Sequence, residues 1–252
     1  VEEVPGVTLT CSEPSLPADS SNLAYKAARS FLNAIGSSAG VKVHLEKRIP
    51  LEAGLGGGSS NAATVLLALN RLFDSALSEE ALSALAADLG SDCPLFLQRK
   101  PVLMRGRGEI LESLDESLVE QVEGKRLAVF KPGFGVPTGW AYSRLASTEN
   151  GYEVDGSVEV RLEDWKTGKL GLKDLLFNSF ERPVFEKFIP IPALFASIRE
   201  AAGLRCLMSG SGSACFVFLE NESQASEIES LVVDAWGKDA FFEICRLGSI
   251  ED

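Results

Sequence analysis

The chain has 252 residues, 45% of them apolar and 24% charged, with a formal net charge of -12. That length buries one large core or two ordinary ones, and the charge leaves no broad basic face for nucleic acid, so no such partner is expected. No run of about 18 apolar residues occurs, so no membrane span is expected.

The opening "VEEVPGVTLT" carries neither a basic leader nor an apolar signal core, as expected of a cytoplasmic protein. "VKVHLEKRI" alternates Val41, Val43 and Leu45 with Lys42, His44 and Glu46, the period of a half-buried strand with His44 on its polar side. Next comes "LEAGLGGGSSNAATVLLALNRLF", in which Gly54, Gly56, Gly57 and Gly58 precede Ala62, Val65, Leu66, Leu69, Leu72 and Phe73 at helical spacing. Ser59, Ser60 and Asn61 supply cap chemistry for that helix. A second helix is predicted from the cap Ser78 through Glu79, Glu80, Leu82, Leu85 and Leu89 to the terminator Gly90.

"GSDCP" is a turn leading to an expected strand at Leu95–Leu97, and "RLAVF" is a strand before the turn-rich "KPGFGVPTG". Asn150–Gly171 is polar and reads as loop, with helices expected near Leu175 and over Pro192–Ala202. "RCLMSGSGSACFVFLE" reads as strand, small-residue turn, strand; a helix around Ile228, Leu231 and Val232 and the strand "FFEICRL" follow. Strands and helices interleave without strict β-α-β repetition, which predicts an α+β fold. "EGK" separates two patterned halves, giving expected domains 1–125 and 126–252. Cys11, Cys93, Cys206, Cys215 and Cys245 form no C-x-x-C pair and His44 is the single histidine, so the cysteines read as reduced thiols and no Cys/His zinc site is expected.

Glycine loses more backbone entropy on folding than any other residue, so four of them before a helix call for a reason. The first turn of a helix offers unpaired N–H groups and a positive dipole end, and glycines let the backbone curl around phosphate oxygens. A Walker loop would need a lysine after Gly58, where Ser59 stands. A dinucleotide fingerprint would need a third glycine at Ser59 and an acid ending the next strand, whereas Asp74 ends a helix. A tight strand-to-helix turn packed on a neighbour explains one or two glycines, and a phosphate cradle explains all four.

The stretch "PLEAGLGGGSSNAA" resembles the phosphate loop of the GHMP kinases. Its tripled glycine with "SSNAA" is most similar to the branch acting on 4-diphosphocytidyl-2-C-methyl-D-erythritol, in isoprenoid (terpenoid) biosynthesis. "NLAYKAA", "EKRIP", "GSDCPLFL", "GRGEIL", "KPGFGVPT", "FNSFE" and "LMSGSGSACF" fall in that family's order along nearly the whole chain. The resemblance implies a two-domain fold, an N-terminal domain like ribosomal protein S5 and a ferredoxin-like C-terminal domain. It also implies ATP-dependent phosphorylation of the substrate's 2-hydroxyl, with ATP as co-substrate together with Mg2+, in a monomer or weak homodimer. Another GHMP small-molecule kinase, of homoserine or mevalonate type, and a nucleotide-binding relative without catalysis are the alternatives.

Carried over position by position, Asp92 is the implied catalytic carboxylate, which accepts or orients the proton of the attacking hydroxyl. Taken by itself, an Asp between Ser91 and Cys93 is a turn residue. Pro50, Leu51, Glu52, Ala53, Gly54, Leu55, Gly56, Gly57, Gly58, Ser59, Ser60 and Asn61 match the ATP-phosphate loop and the start of its helix. Asn22 and Lys47 match positions near the nucleotide's base and sugar; without the family they are a helix cap and a solvated strand-end lysine. Ser209, Gly210, Ser211 and Gly212 resemble a second glycine turn facing the phosphate loop, and by themselves read as a hairpin turn. Thr138 and Tyr142 match the cytidine pocket, beside the plainer reading of Tyr142 as core. The family also carries a Lys-x-Asn strand and a Gly-Tyr-His turn. Neither occurs here, and "GYE" at Gly151 does not fit. The first strands of the domain are therefore expected to lie upstream of this sequence, the alternative being a shortened relative.

Overall fold

The computed structural model describes residues 6–98, 101–106, 108, 110–148, 151 and 157–248. Its contacts divide the described residues into two compact units: one holds residues 6–49 and Gly56–Leu114, the other Pro50–Leu55 and residues 115–248.

In the first unit, β1 (Gly6–Cys11) and β2 (Gly40–Leu45) pair in parallel with Leu9 opposite Val43, and α1 (Leu23–Ala34) is the crossover that parallel pairing requires. Asn22 caps α1: its Oδ1 accepts the Ala24 N–H at 2.9 Å, and its Nδ2 donates to Pro17 O at 2.8 Å. Next come α2 (Gly57–Leu72) and α3 (Glu79–Leu89), a short 3-10 turn at Pro94–Leu97, and a hairpin of β3 (Val102–Arg105) with β4 (Ile110–Ser113). The core joins Ala27, Ala28 and Phe31 of α1 to Ala62, Leu66 and Leu69 of α2, with Leu82 and Ala86 of α3 beneath. Alanines at the α1–α2 contact let the two backbones come close.

The second unit contains α4 (Glu116–Val122), β5 (Arg126–Lys131), α5 (Thr138–Ser147), α6 (Ser157–Lys166), α7 (Leu172–Leu175), α8 (Glu181–Phe185) and α9 (Pro190–Ala202). Then follow β6 (Cys206–Met208), β7 (Cys215–Leu219), α10 (Ser223–Trp236) and β8 (Phe241–Arg246). The sheet is antiparallel, ordered β6-β7-β5-β8. β5 is an inner strand buried from Leu127 to Lys131, which is why "LAVF" reads as an unbroken apolar run rather than an alternation. Phe130 meets Ile191, Leu194 and Ile198 of α9 and Ile228 and Val232 of α10 in one core cluster.

Three sequence expectations need correction. The segment Leu95–Leu97 is a 3-10 turn, not a strand, because Pro94 occupies its first helical position. Helix α6 lies inside the stretch expected to be loop; it buries only Leu162 and Trp165, too few to give a clear period, and Asn150 lies outside the described residues. Helix α2 starts at Gly57, so Ser59, Ser60 and Asn61 lie inside it rather than capping it, and the cap is Gly56 in the left-handed region at φ +64°.

The loop before α2 belongs half to each unit. In the second unit Pro50–Leu55 lies against the turn after β6: Ser213 N–H donates to Glu52 O at 3.1 Å and Ala214 N–H to Ala53 O at 3.0 Å. Ser209 Oγ donates to Gly54 O at 3.0 Å. Gly54 sits at φ +69°, and a Cβ there would run into Ser209 O and come within 2.8 Å of Gly212 N. Gly210, also left-handed, reciprocates: its Cβ would stand 3.0 Å from Gly54 O. At these two glycines the loops touch backbone to backbone, with no room for a Cβ.

A left-handed alanine costs roughly 1–2 kcal/mol by itself, and breaking a buried hydrogen bond adds about 1–3. Gly54→Ala is therefore expected to destabilise the second unit by about 2–5 kcal/mol. Trp140, Trp165 and Trp236 all lie in this unit, so denaturation followed by tryptophan fluorescence reads it; a change below about 1 kcal/mol would mean that the loops part freely.

Glu181 generates a second expectation. Burial raises its pKa, against the Met208 N–H and the Arg205 charge, which lower it. Its raised folded value means that its contribution to stability is full below the ordinary carboxylate range and is lost as pH rises through that folded value. Glu181→Gln keeps an oxygen for the Met208 N–H and removes the charge. The melting temperature of the variant relative to wild type should then be higher at pH 8 than at pH 4; an equal difference at both would place the charge in water.

Candidate active site

In the first unit the N–H groups of Gly57, Gly58 and Ser59 open α2, and first-turn amides have no partner within a helix. Lys47 reaches this point: a Cβ on Gly57 would lie 2.7 Å from its Nζ and 2.9 Å from Ile49 Cγ2. Burial lowers the pKa of Lys47, the Cys11 thiol opposing it, and no carboxylate among the described residues pairs with it. A half-buried ammonium at the positive end of a helix, beside unpaired amides, is an arrangement that an anion would neutralise.

Gly56 is fixed by Phe96, whose ring would stand 2.6 Å from a Cβ at that position. One helical turn earlier, Cys93 is fully buried, and its thiol is hydrogen-bonded to the Ser59 hydroxyl. Cys93 and Phe96, three residues apart, thus clamp the start of α2. Their neighbour Asp92 is exposed beside it; Ser91 Oγ lies 3.4 Å from Asp92 Oδ1, and a Cβ on Gly108 would come within 3.5 Å of that oxygen. Leu23, next to Asn22, lies 3.6 Å from where a Cβ on Gly58 would be. Both polar ends of Asn22 are engaged within the chain, and Asn61 is a partly buried residue of α2.

These contacts change the reason for the glycines. Gly54, Gly56 and Gly57 each face atoms closer than 3.0 Å to a would-be Cβ, and Gly58 alone meets only ordinary contact. Packing of the chain on itself accounts for three of the four, more than the one or two expected, and the N–H groups at the start of α2 remain for a ligand.

In the second unit Ser209, Gly210, Ser211 and Gly212 form the turn that receives Pro50–Leu55, with Ala53 buried and Leu51 partly so. Thr138, at the start of α5, shares a hydrogen bond with Ser211 at 3.2 Å. Tyr142 is not core: it is 55% exposed and meets Phe180 edge-on at 4.8 Å. Glu52 packs its side chain against Gly135 and lies near the buried Lys131. Lys131 Nζ donates to Pro132 O and Phe134 O, and Ser213 Oγ donates to the same Phe134 carbonyl at 2.6 Å.

Sequence reasoning gave no role to Lys131, Cys93, Phe96 or Asn178. A lysine ending an apolar strand was a readable signal for the first. The others act through packing or backbone contacts far away in sequence.

The pattern of the GHMP kinases N terminal domain matches residues 22–99, and that of the GHMP kinases C terminal matches residues 159–238. A 4-diphosphocytidyl-2-C-methyl-D-erythritol kinase of Chloroherpeton thalassium is 36% identical over 227 residues, covering 89% of this chain and 78% of that relative. The namesake from Thermus thermophilus is 42% identical over 218 residues, covering 86% and 74%. A crystal structure of 4-(cytidine 5'-diphospho)-2C-methyl-D-erythritol kinase aligns with a TM-score of 0.74 and 38% identity, covering 97% of this chain and 84% of that one. With both domains matched and relatives this similar across most of its length, the chain belongs to the 4-diphosphocytidyl-2-C-methyl-D-erythritol kinase family of GHMP kinases.

Proposed function

We infer that this chain transfers the γ-phosphoryl group of ATP to the 2-hydroxyl of 4-diphosphocytidyl-2-C-methyl-D-erythritol. The observation that carries this reading is the unpaired Lys47 ammonium over the open amides of α2, an anion site in a chain of this kinase family. Phosphoryl transfer asks a protein for positioning and charge stabilisation more than for covalent chemistry. In this reading Lys47 and the Gly57–Ser59 amides hold phosphate oxygens, a placement at the phosphates rather than at the base and sugar. On their resemblance to the family's loops, Ser209–Gly212 and Pro50–Leu55 are assigned to ATP binding, and Thr138 and Tyr142 to the cytidyl group.

Asp92, exposed and held beside Ser91, orients the attacking hydroxyl and takes its proton as the oxygen bonds to phosphorus. Among the described residues no group of three or more His, Cys, Asp or Glu side chains is placed to hold a metal. Magnesium in kinases is carried largely by phosphates and water with one or two protein oxygens, so the hydroxyls of Ser59 and Ser60 fit it chemically. When bound, Mg2+ would supply charge neutralisation on the phosphates. No helix among the described residues is long and apolar enough to cross a membrane. From the family resemblance we place the reaction in the cytoplasm, with a monomer or weak homodimer as the working state.

The test is ADP release by the purified protein offered ATP with the cytidyl substrate, with homoserine and mevalonate as comparison acceptors. Transfer to the cytidyl substrate alone is expected; ATP binding without transfer to any acceptor would favour the non-catalytic relative. Asp92→Asn should fold and bind ATP normally while turning over about 10²–10⁴-fold more slowly. A variant retaining more than about a third of wild-type turnover would take Asp92 out of the reaction.

A further inference from the structure

The segment "FNSFE", Phe177–Glu181, has no part in the chemistry described above, yet its polar atoms converge on the second glycine turn. Asn178 Nδ2 donates to Met208 O at 2.7 Å and to Gly210 O at 2.8 Å. Its Oδ1 accepts the Phe180 N–H at 2.9 Å. The Met208 N–H in turn donates to Glu181 Oε1 at 2.8 Å, so this segment holds both the N–H and the carbonyl of Met208. Only a carboxamide of this length offers two donors on one nitrogen together with an acceptor oxygen. An aspartate of the same shape would turn an acceptor toward two carbonyls.

The two carbonyls flank Ser209, whose hydroxyl is bonded to Gly54 O. Ser209 and Ser211 anchor the turn through their hydroxyls, whereas Gly210 and Gly212 bring no side chains, and the Gly210 carbonyl is held by Asn178. On the opposite side, Phe180, whose amide Asn178 receives, is the ring packed edge-on against Tyr142. Asn178, Phe180, Ser209 and Gly210 all border one open cavity of about 340 Å³. One side chain thus ties the glycine turn to the aromatic pair.

We propose that Asn178 is a positioning residue for the transfer reaction, fixing the Ser209–Gly212 turn and the Phe180–Tyr142 pair together. It acts through the backbone of the turn and of Phe180. The proposal rests on the phosphotransfer reading given above and on the ATP and cytidyl roles of those two groups.

Asn178→Asp removes both donations and keeps the oxygen for Phe180 N–H. Asn178→Ser does the same with a smaller, neutral group, since a serine hydroxyl can replace the local acceptor. Asn70 is the control: it bridges Leu77 by bonds of 3.0 and 2.9 Å and sits near the end of α2, roughly 20 Å of helix beyond its opening turn. Steady-state kinetics with each substrate varied in turn, together with melting curves, decide the matter. Both Asn178 variants should fold and raise KM for ATP and for the cytidyl substrate by at least about 5-fold each, whereas Asn70→Ser should lower the melting temperature with both KM values unchanged.

Folded Asn178 variants with wild-type KM values overturn the proposal, as does a rise confined to one substrate. Variants that both fail to fold make Asn178 a folding residue and overturn it too. Wild-type protein that transfers nothing to the cytidyl substrate defeats the functional reading instead. Binding of a fluorescent ATP analogue to the variants then still reports on the turn: weakened binding retains Asn178's hold on it, and unchanged binding removes it.

Discussion

The second unit depends on a contact that leaves no room for a side chain on Gly54 or Gly210. Gly54 and the Ser209–Gly212 turn meet backbone to backbone, with the Ser209 carbonyl and the Gly212 amide where a Cβ on Gly54 would be. Hydrogen bonds from Ser213, Ala214 and Ser209 hold the two strips of chain in register. Around this contact the polar groups of the unit are committed in series: Lys131 and Ser213 share the Phe134 carbonyl, Thr138 meets Ser211, and Asn178 and Glu181 hold Met208. Each bond is modest, but leaving such groups unpaired where water is excluded is costly, which makes the arrangement hard to change piecemeal.

The first unit solves a different problem, that of keeping helix amides open for a ligand. Phe96 and Cys93 clamp the start of α2 from one side, and Lys47 and Ile49 fill the space at Gly57. The result is locally unfavourable, with a partly desolvated cation facing the positive end of a helix dipole. Binding phosphate relieves that repulsion and satisfies the amides at once. Strain of this electrostatic kind belongs at functional sites, where a ligand rather than the fold completes the interaction.

Much of the fold was legible because its signals are local. The alternation at Val41, Val43 and Leu45, the cap at Ser78 and the unbroken run in β5 each need only a few neighbours to be read. Helix α6 was not legible, since two buried residues in ten leave almost no period, and Pro94 turned an apolar triplet into a 3-10 turn. The glycines fit a phosphate cradle, yet self-packing alone requires three of the four. A phosphate cradle and tight self-packing demand the same residue, and only the positions of Phe96, Lys47 and Ser209 separate the two. Asn178 was hidden for a related reason, because its partners are backbone atoms about thirty residues away, which carry no sequence signature of their own.

The central claim is that the opening turn of α2 and Lys47 form the phosphate site. Amide resonances of the protein, followed by NMR during titration with ATP, test it most directly. The account predicts that Gly57, Gly58 and Ser59 shift most, and that Lys47→Met lowers ATP affinity by about 10-fold or more without loss of fold, the loss expected for a charge-assisted contact. Unshifted amides at these three positions, with wild-type ATP affinity in a folded Lys47→Met, would contradict it.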